Sequence, residues 1–229
     1  MARACKIFEV MEPLAPEEIY ESLEGYSQLW EEEVDGRTVS VGFRVANIDH
    51  SGETVWGVVE ESFISRMEFR GEEIRVPVSL TIEFSFIEYD KRQFLIVYAG
   101  KRRADRLAVR FSEILYDRRD VIVEVYIPPE KMRTLYLDKV GEVRIVILDN
   151  LRIPGLSKVT LFGKDLKDSD AFMDYLKKGR ESYVVYRDEE GVFGVSRMGQ
   201  IIAFSRIDSE TLESYLREKI IPLAEPPPE

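Results

Sequence analysis

Cysteine and histidine are almost missing from this chain, which holds one of each in 229 residues. The single cysteine, Cys5, excludes an internal disulfide and a zinc site built from cysteines. With His50 as the only histidine, a metal site of several histidines is excluded as well. We expect Cys5 to be a small core residue and His50 to lie in a solvated turn. The lack of disulfides fits a reducing compartment, so the sequence predicts a cytoplasmic protein.

Long apolar runs, nucleotide-binding motifs and side-chain amides are also scarce. No stretch reaches the roughly 18 uncharged apolar residues of a membrane helix, and the N-terminus enters a strand without the features of a signal peptide. Neither GxxxxGKS/T nor GxGxxG occurs. Asn occupies only positions 47 and 150 while charged residues make up 33% of the chain, a balance typical of thermophiles, archaea among them. We therefore expect a soluble protein with no membrane contact, metal or cofactor.

Alternation of apolar and polar residues with a period of two is the clearest positive signal. It is present in the predicted strands 39–46 and 73–88; a further strand is predicted between them at 54–69, and a fourth, apolar strand follows at 94–98. Turn residues separate these strands at 49–52, 70–71 and 90–92. This pattern predicts a four-stranded antiparallel meander with one packed and one solvated face.

The flanking segments predict helices and further strands. Predicted helices are Pro16 to about Gly25, 101–116, 128–139, 169–178 and one starting near Ser209. Predicted strands are 4–11, 121–127, 143–148, 158–162, 182–187, 192–197 and 201–206. The predicted fold class is α+β, with antiparallel sheets each covered on one face by helices. Two lobes with a similar strand–helix–strands–helix order are expected: an N-terminal domain at 1–150 and a smaller lobe at 151–222, followed by a frayed Pro-rich tail at 223–229.

Charge is distributed unevenly along the chain, whose net charge is -11. Residues 1–100 hold 9 basic and 20 acidic residues, whereas residues 101–119 hold seven basic and three acidic ones. This basic segment links an apolar strand to a helix on which Arg103, Arg106 and Arg110 share one face. Cations at a helix N-terminus oppose the helix dipole unless an anion is bound there. The predicted anion or partner site is Gly100, Lys101, Arg102, Arg103, Arg106 and Arg110; the alternative is that these side chains pair with the acidic first hundred residues.

Carboxylates form no catalytic pattern in the sequence. Glu60 and Glu61 are consecutive on a strand and point to opposite faces. The run Glu31–Glu33 reads as a solvated charge cluster, and four acidic residues near 165–174 read as helix caps. No catalytic or metal-binding residue is therefore assigned.

The sequence predicts a non-catalytic interaction or adaptor protein that binds a protein partner. It leaves open an association with nucleic-acid machinery through the basic helix, and a homo-oligomer. One alternative is an enzyme that holds a phosphorylated small molecule at the Gly100–Arg106 turn. Another is a long sheet that curls around an apolar ligand.

Overall fold

The computed structural model describes residues 2–137 and 141–226. Within these residues the protein is mostly antiparallel sheet, with twelve strands and five α-helices, as the predicted α+β class requires. The strands are β1 (Arg3–Val10), β2 (Ser27–Val34), β3 (Arg37–Ser51), β4 (Thr54–Phe69), β5 (Glu72–Tyr89), β6 (Arg92–Tyr98), β7 (Ile122–Glu124), β8 (Val143–Ile153), β9 (Leu156–Phe162), β10 (Arg180–Arg187), β11 (Val192–Ser196) and β12 (Gln200–Ala203). The helices are α1 (Pro16–Leu23), α2 (Lys101–Tyr116), α3 (Pro129–Arg133), α4 (Asp170–Lys178) and α5 (Ser209–Tyr215).

The chain forms two compact units, each of which is built from more than one stretch of sequence. Unit 1 contains the described parts of residues 1–9, 100–104 and 123–229. Unit 2 contains residues 10–99 and 105–122. These units are groups of mutually contacting residues rather than independently folding domains, so the predicted domains and tail stay a prediction.

Unit 2 is built on the meander β2–β3–β4–β5–β6, in which each strand pairs with the next. Two-residue turns connect these strands, and both residues have positive φ at Asp35–Gly36, Arg70–Gly71 and Asp90–Lys91. Such turns match the right-handed twist of the flanking strands. The predicted strands 54–69 and 73–88 agree with β4 and β5 within a residue. Strand β2 was not predicted, because it is mostly exposed and its run of glutamates lacks the alternation of apolar and polar residues.

The far ends of β4 and β5 pair only with each other among the described strands. Pairing of β3 with β4 stops at Ser62, and pairing of β5 with β6 starts at Glu83. Between these limits the β4–β5 register runs without a break to Phe69 and Glu72. Unit 2 therefore carries a two-stranded extension, which we call the ribbon (residues 63–78).

Aromatic side chains fill the core of unit 2. Phe84 and Phe86 of β5 lie 4.8 and 5.7 Å from the ring of Phe111, which projects from α2. All three rings are buried. Edge-to-face and tilted arrangements at such distances are favourable for aromatic pairs. The apolar stripe predicted for residues 101–116 thus packs on the sheet as its helical spacing indicated.

The prediction for His50 was wrong. The turn lies at residues 52–53, because β3 extends to Ser51 and pairs with β4 up to Thr54. His50 is therefore a half-buried strand residue, and its ring lies 5.0 Å from that of Tyr20. Of the residues 49–52 that were predicted to form the turn, only Gly52 lies in the observed turn, where its φ is positive.

Unit 1 has the strand order β1–β12–β11–β10–β8–β9, with β7 pairing β1. Residues 149–158 are part of a hairpin, since β8 continues to Ile153 and β9 starts at Leu156. Predicted helix 128–139 is shorter and ends at Arg133 as α3; residues 138 and 139 lie outside the described part. Helix α4 begins after the Ser169 cap and stops at Gly179, as predicted.

The C-terminal segment contacts the rest of unit 1 beyond its last predicted helix, as far as residue 225. Helix α5 continues through a π-helical turn at Leu216–Ile220. Beyond it Ala224 is buried, and Glu225 forms two backbone hydrogen bonds with Tyr126, of 2.8 and 2.7 Å. Residues 224 and 225 thus contact the rest of unit 1, while 227–229 lie outside the described residues. None of the helices in the described ranges has the length and apolarity needed to cross a bilayer.

Candidate functional site

The predicted basic residues are distributed over both units. Lys101, Arg102 and Arg103 form the first turn of α2 and belong to unit 1 with Gly100. Arg106 and Arg110 lie on the part of α2 that belongs to unit 2. Gly100 has no side chain to cap the helix, and its carbonyl accepts hydrogen bonds from the backbone N–H groups of Arg103 and Ala104.

Lys101 takes part in an ion-pair cluster of unit 1. Its Nζ lies 3.1 Å from Oε1 of Glu124, and the same oxygen accepts a hydrogen bond from the fully buried Lys6. Burial tends to raise the pKa of the Glu124 carboxyl, but the hydrogen bonds and charges of Lys6 and Lys101 outweigh it, and the net shift of this pKa is downward. The cluster is structural in character, since a carboxylate held in its charged form is a weak base.

We predict that replacing Glu124 by Gln reduces the acid sensitivity of folding. A carboxyl whose pKa is lowered in the folded state stabilises the protein above its unfolded pKa of about 4.3, and that contribution disappears as pH falls through the folded pKa. Urea unfolding at pH 3 to 7 should give a shallower decline of stability below pH 5 for Glu124→Gln than for the parent. Glu189→Gln, at a carboxylate for which no partner is described, should leave the profile unchanged. Parallel profiles for the parent and Glu124→Gln would contradict this prediction.

Unit 2 contains a cleft of about 320 Å³ that brings Arg106 and Arg110 together with two further arginines. The additional arginines are Arg66 of β4 and Arg75 of β5, both on the ribbon. The lining residues are Trp30, Glu32, Val41, Gly42, Glu61, Ser62, Phe63, Ile64, Arg66, Arg75, Arg106 and Arg110. Four guanidinium groups thus face two carboxylates in one concavity of an otherwise acidic chain.

The four guanidinium groups differ in their partners. Arg75 lies 3.1 Å from a Glu32 carboxylate oxygen and also donates to the carbonyl of Glu33. Arg106 is 3.4 Å from Glu61, at the long limit of a hydrogen bond. Within residues 2–137 and 141–226, neither Arg66 nor Arg110 has a carboxylate partner. Half of the cationic groups of the cleft are therefore available to an external anion.

Arg110 is held by an aromatic ring instead of a carboxylate. Its guanidinium carbon lies 4.4 Å from the centroid of the buried Phe43 ring. A cation over an aromatic face is stabilised by the ring quadrupole. This contact places the guanidinium over the ring, and its N–H groups have no carboxylate partner among the described residues.

Two exposed aromatic side chains complete the cleft. Trp30 on β2 is 55% exposed, and Phe63 on β4 is 41% exposed. The indole N–H of Trp30 donates to Glu32 over 3.3 Å. The Trp30 ring also occupies the space above Gly42, where an added Cβ would lie 3.0 Å from ring atom Cζ3. The indole thus forms one hydrogen bond and lies beside Gly42, with more than half of its surface in solvent.

Sequence reasoning found Arg106 and Arg110 but missed the other cleft residues. A signal for Arg66 and Arg75 was present, because a two-residue turn at Arg70–Gly71 makes them direct cross-strand partners, as observed. Like charges that face each other across two strands are destabilising, as are cations at the N-terminus of α2. Trp30 gave no such signal, since its strand was not predicted.

Two further arginines of the basic segment and several of the carboxylates have structural partners. Arg118 pairs with Glu12 of the acidic first hundred residues at 2.7 Å, whereas Arg119 pairs with Glu113 of α2 at 2.5 Å. Glu60 pairs with Arg44 while Glu61 pairs with Arg106, from opposite faces of β4. Asp165 and Ser169 accept hydrogen bonds from backbone N–H groups as caps.

Cys5 is buried in β1, and burial raises the pKa of its thiol to about 12. A thiol with such a pKa is a poor nucleophile at neutral pH. Across the ranges 2–137 and 141–226, no group of three or more His, Cys, Asp or Glu side chains has the arrangement of a metal site. The chain matches no protein-family model, and no curated protein is significantly similar to it.

Proposed function

We propose that this protein is a non-catalytic binding protein whose unit 2 cleft receives an anionic segment of a partner. The observation that supports this most directly is the convergence of Arg66, Arg75, Arg106 and Arg110 on one cleft. Guanidinium groups donate several hydrogen bonds in a fixed geometry that suits phosphate and carboxylate oxygens. The volume of about 320 Å³ is at the lower end of the range for ligand sites.

The charge balance of the cleft supports an external anion over internal pairing alone. Its four arginines exceed its two glutamates, although the first hundred residues of the chain carry a large acidic excess. Uncompensated cations placed close together repel one another. An anion between them removes that repulsion, so binding should stabilise the folded protein.

The alternative of an enzyme acting on a phosphorylated small molecule at the Gly100–Arg106 turn has less support. Glu124, a carboxylate that contacts this turn through Lys101, is engaged by two lysines and its pKa is lowered. A general base at neutral pH needs a raised pKa. The roles of Gly100, Lys101, Arg102 and Arg103 in anion binding, a protein partner and a homo-oligomer all stay predictions.

Charge reversal in the cleft tests the proposal. We expect the parent protein to bind a fluorescein-labelled 12-nucleotide oligodeoxythymidylate and to be competed by inorganic polyphosphate. The variant Arg66→Glu/Arg106→Glu/Arg110→Glu should bind at least about 100-fold more weakly, because a hydrogen bond to a charged group contributes about 1.5–3 kcal/mol. Fluorescence anisotropy at 50 and 200 mM NaCl measures both this loss and the salt dependence expected of phosphate contacts.

A matched control separates the cleft from net charge. Arg152→Glu/Lys158→Glu/Lys178→Glu changes the charge by the same amount at three exposed positions of unit 1. This control should retain parent-like affinity. The proposal fails if the parent binds neither probe, if the cleft variant binds as tightly as the parent while remaining folded by circular dichroism, or if both triple variants lose affinity equally.

A further inference from the structure

Resting on the proposed function, we infer that the anionic segment is single-stranded nucleic acid, with an unpaired base stacked on Trp30 and the adjoining phosphates on the arginines. The distinguishing feature is that aromatic and cationic side chains line the same cleft. An anion alone needs only the guanidinium groups. Trp30 and Phe63 add flat apolar faces that a phosphate or a carboxylate cannot use.

The fixed position of the Trp30 indole suits a stacking platform. Glu32 accepts the indole N–H and is itself paired with Arg75, so the ring is tied to a cationic side chain of the cleft. Gly42 leaves room for the ring against the backbone. An aromatic side chain whose rotamers are restricted by such contacts loses less conformational entropy when a base stacks on it.

Single-stranded rather than double-stranded nucleic acid fits this arrangement. Base faces are covered in a duplex by neighbouring base pairs, whereas a single strand offers them for stacking on aromatic side chains. Proteins that bind single strands combine a cationic groove with such aromatic side chains. The cleft is also small, about 320 Å³, so it holds a short part of a strand rather than a helix.

Tryptophan fluorescence reports on the contact directly, because the chain has only two tryptophans. Trp56 does not line the cleft, and Trp56→Phe leaves Trp30 as the sole tryptophan, which is excited selectively over the tyrosines at long wavelength. Addition of 12-mers of deoxythymidylate or uridylate to this variant should quench the emission of Trp30. An abasic 12-mer with the same number of phosphates should quench it far less.

Affinities of matched probes complete the test. We expect the thymidylate or uridylate 12-mer to bind about tenfold more tightly than the abasic 12-mer or a blunt duplex. Trp30→Leu should lower the affinity for the 12-mers to that of the abasic strand and leave the abasic affinity unchanged. Trp56→Leu, the control at the other exposed tryptophan, should change neither. Comparing thymidylate with uridylate shows whether DNA or RNA is preferred.

Each unfavourable result identifies what fails. Equal affinities for base-bearing and abasic strands, with no quenching of Trp30, would overturn the nucleic-acid inference and leave anion binding standing. Binding of a 12-residue polyglutamate as tightly as the thymidylate 12-mer would reassign the partner to an acidic polypeptide. Absence of binding to every probe would overturn the proposed function together with this inference.

Discussion

The variant Arg133→Met should lower the free energy of unfolding by about 3 kcal/mol, the lower end of the range for breaking one side of a buried ion pair, because the Arg133 side chain is 34% exposed. Arg133 of α3 donates to both carboxylate oxygens of Glu181, over 2.5 and 3.0 Å. Glu181 is fully buried on β10, and its other hydrogen-bond donor is the hydroxyl of Tyr136 at 2.8 Å. Methionine preserves much of the side-chain volume but leaves a buried carboxylate with one neutral donor. Urea denaturation at pH 7 measures the loss.

The double variant Arg133→Met/Glu181→Leu distinguishes the effect of an unpaired buried charge from the loss of the ion pair itself. Replacing both partners by apolar groups of similar size removes the unpaired charge, so most of the lost stability should return. Arg152→Met, at an exposed strand position of unit 1, should change stability by less than about 0.5 kcal/mol. A loss below about 1 kcal/mol for Arg133→Met, or a double variant less stable than the single one, would show that Glu181 is solvated or otherwise paired.

Gly42→Ala is the second substitution for which we expect a large effect, a destabilisation of about 3 kcal/mol or more. The φ angle of Gly42 is +133°, a backbone conformation that residues with a side chain rarely adopt. An added Cβ would also lie 2.1 Å from the carbonyl oxygen of Gln28 on β2. Overpacking contributes about 1–3 kcal/mol and the unfavourable backbone conformation about 1–3 kcal/mol more.

Gly52→Ala isolates the backbone contribution. Gly52 also has a positive φ, of +57°, but no heavy atom lies within 4 Å of an added Cβ. Its substitution should therefore cost only about 1–2 kcal/mol, the left-handed penalty. Thermal unfolding of both variants provides the comparison. Equal losses would mean that the contact between β3 and β2 adapts to the extra methyl group.

Much of the fold could be predicted because local patterns determine it. Strand β5 alternates over residues 74–86 and is joined to β4 by a turn whose residues take up positive φ, so sequence spacing fixes their register. Helix α2 was predicted at its observed bounds from the spacing of its apolar residues. Strand β2 could not be predicted, since an exposed edge strand is held by backbone pairing with β3 rather than by burial of alternate side chains.

The cleft could be predicted only in part for a related reason. Arg106 and Arg110 are close in sequence, and helical spacing places them on one face. Their meeting with Arg66 and Arg75 depends on how the twisted ribbon lies against α2 within unit 2, which no local pattern specifies. Trp30 adds a third sequence segment. Contacts between segments that are distant in sequence therefore bring the residues of this cleft together.

The ribbon has a consequence for how the cleft responds to occupancy. Beyond the pairing of β4 with β5, the ribbon is supported by contacts such as those of Arg75 with Glu32 and Glu33 of β2, and local opening requires least free energy where supporting contacts are few. Arg66 and Arg75 are mounted on this segment, so one wall of the cleft is less firmly held than the wall formed by α2. A ligand that bridges the two walls must restrain the ribbon, and any contact that restrains the ribbon elsewhere must in turn strengthen ligand binding by the same factor. For the proposed anionic ligand, we therefore expect that contacts at the Arg70–Gly71 turn, which does not line the cleft, change the affinity.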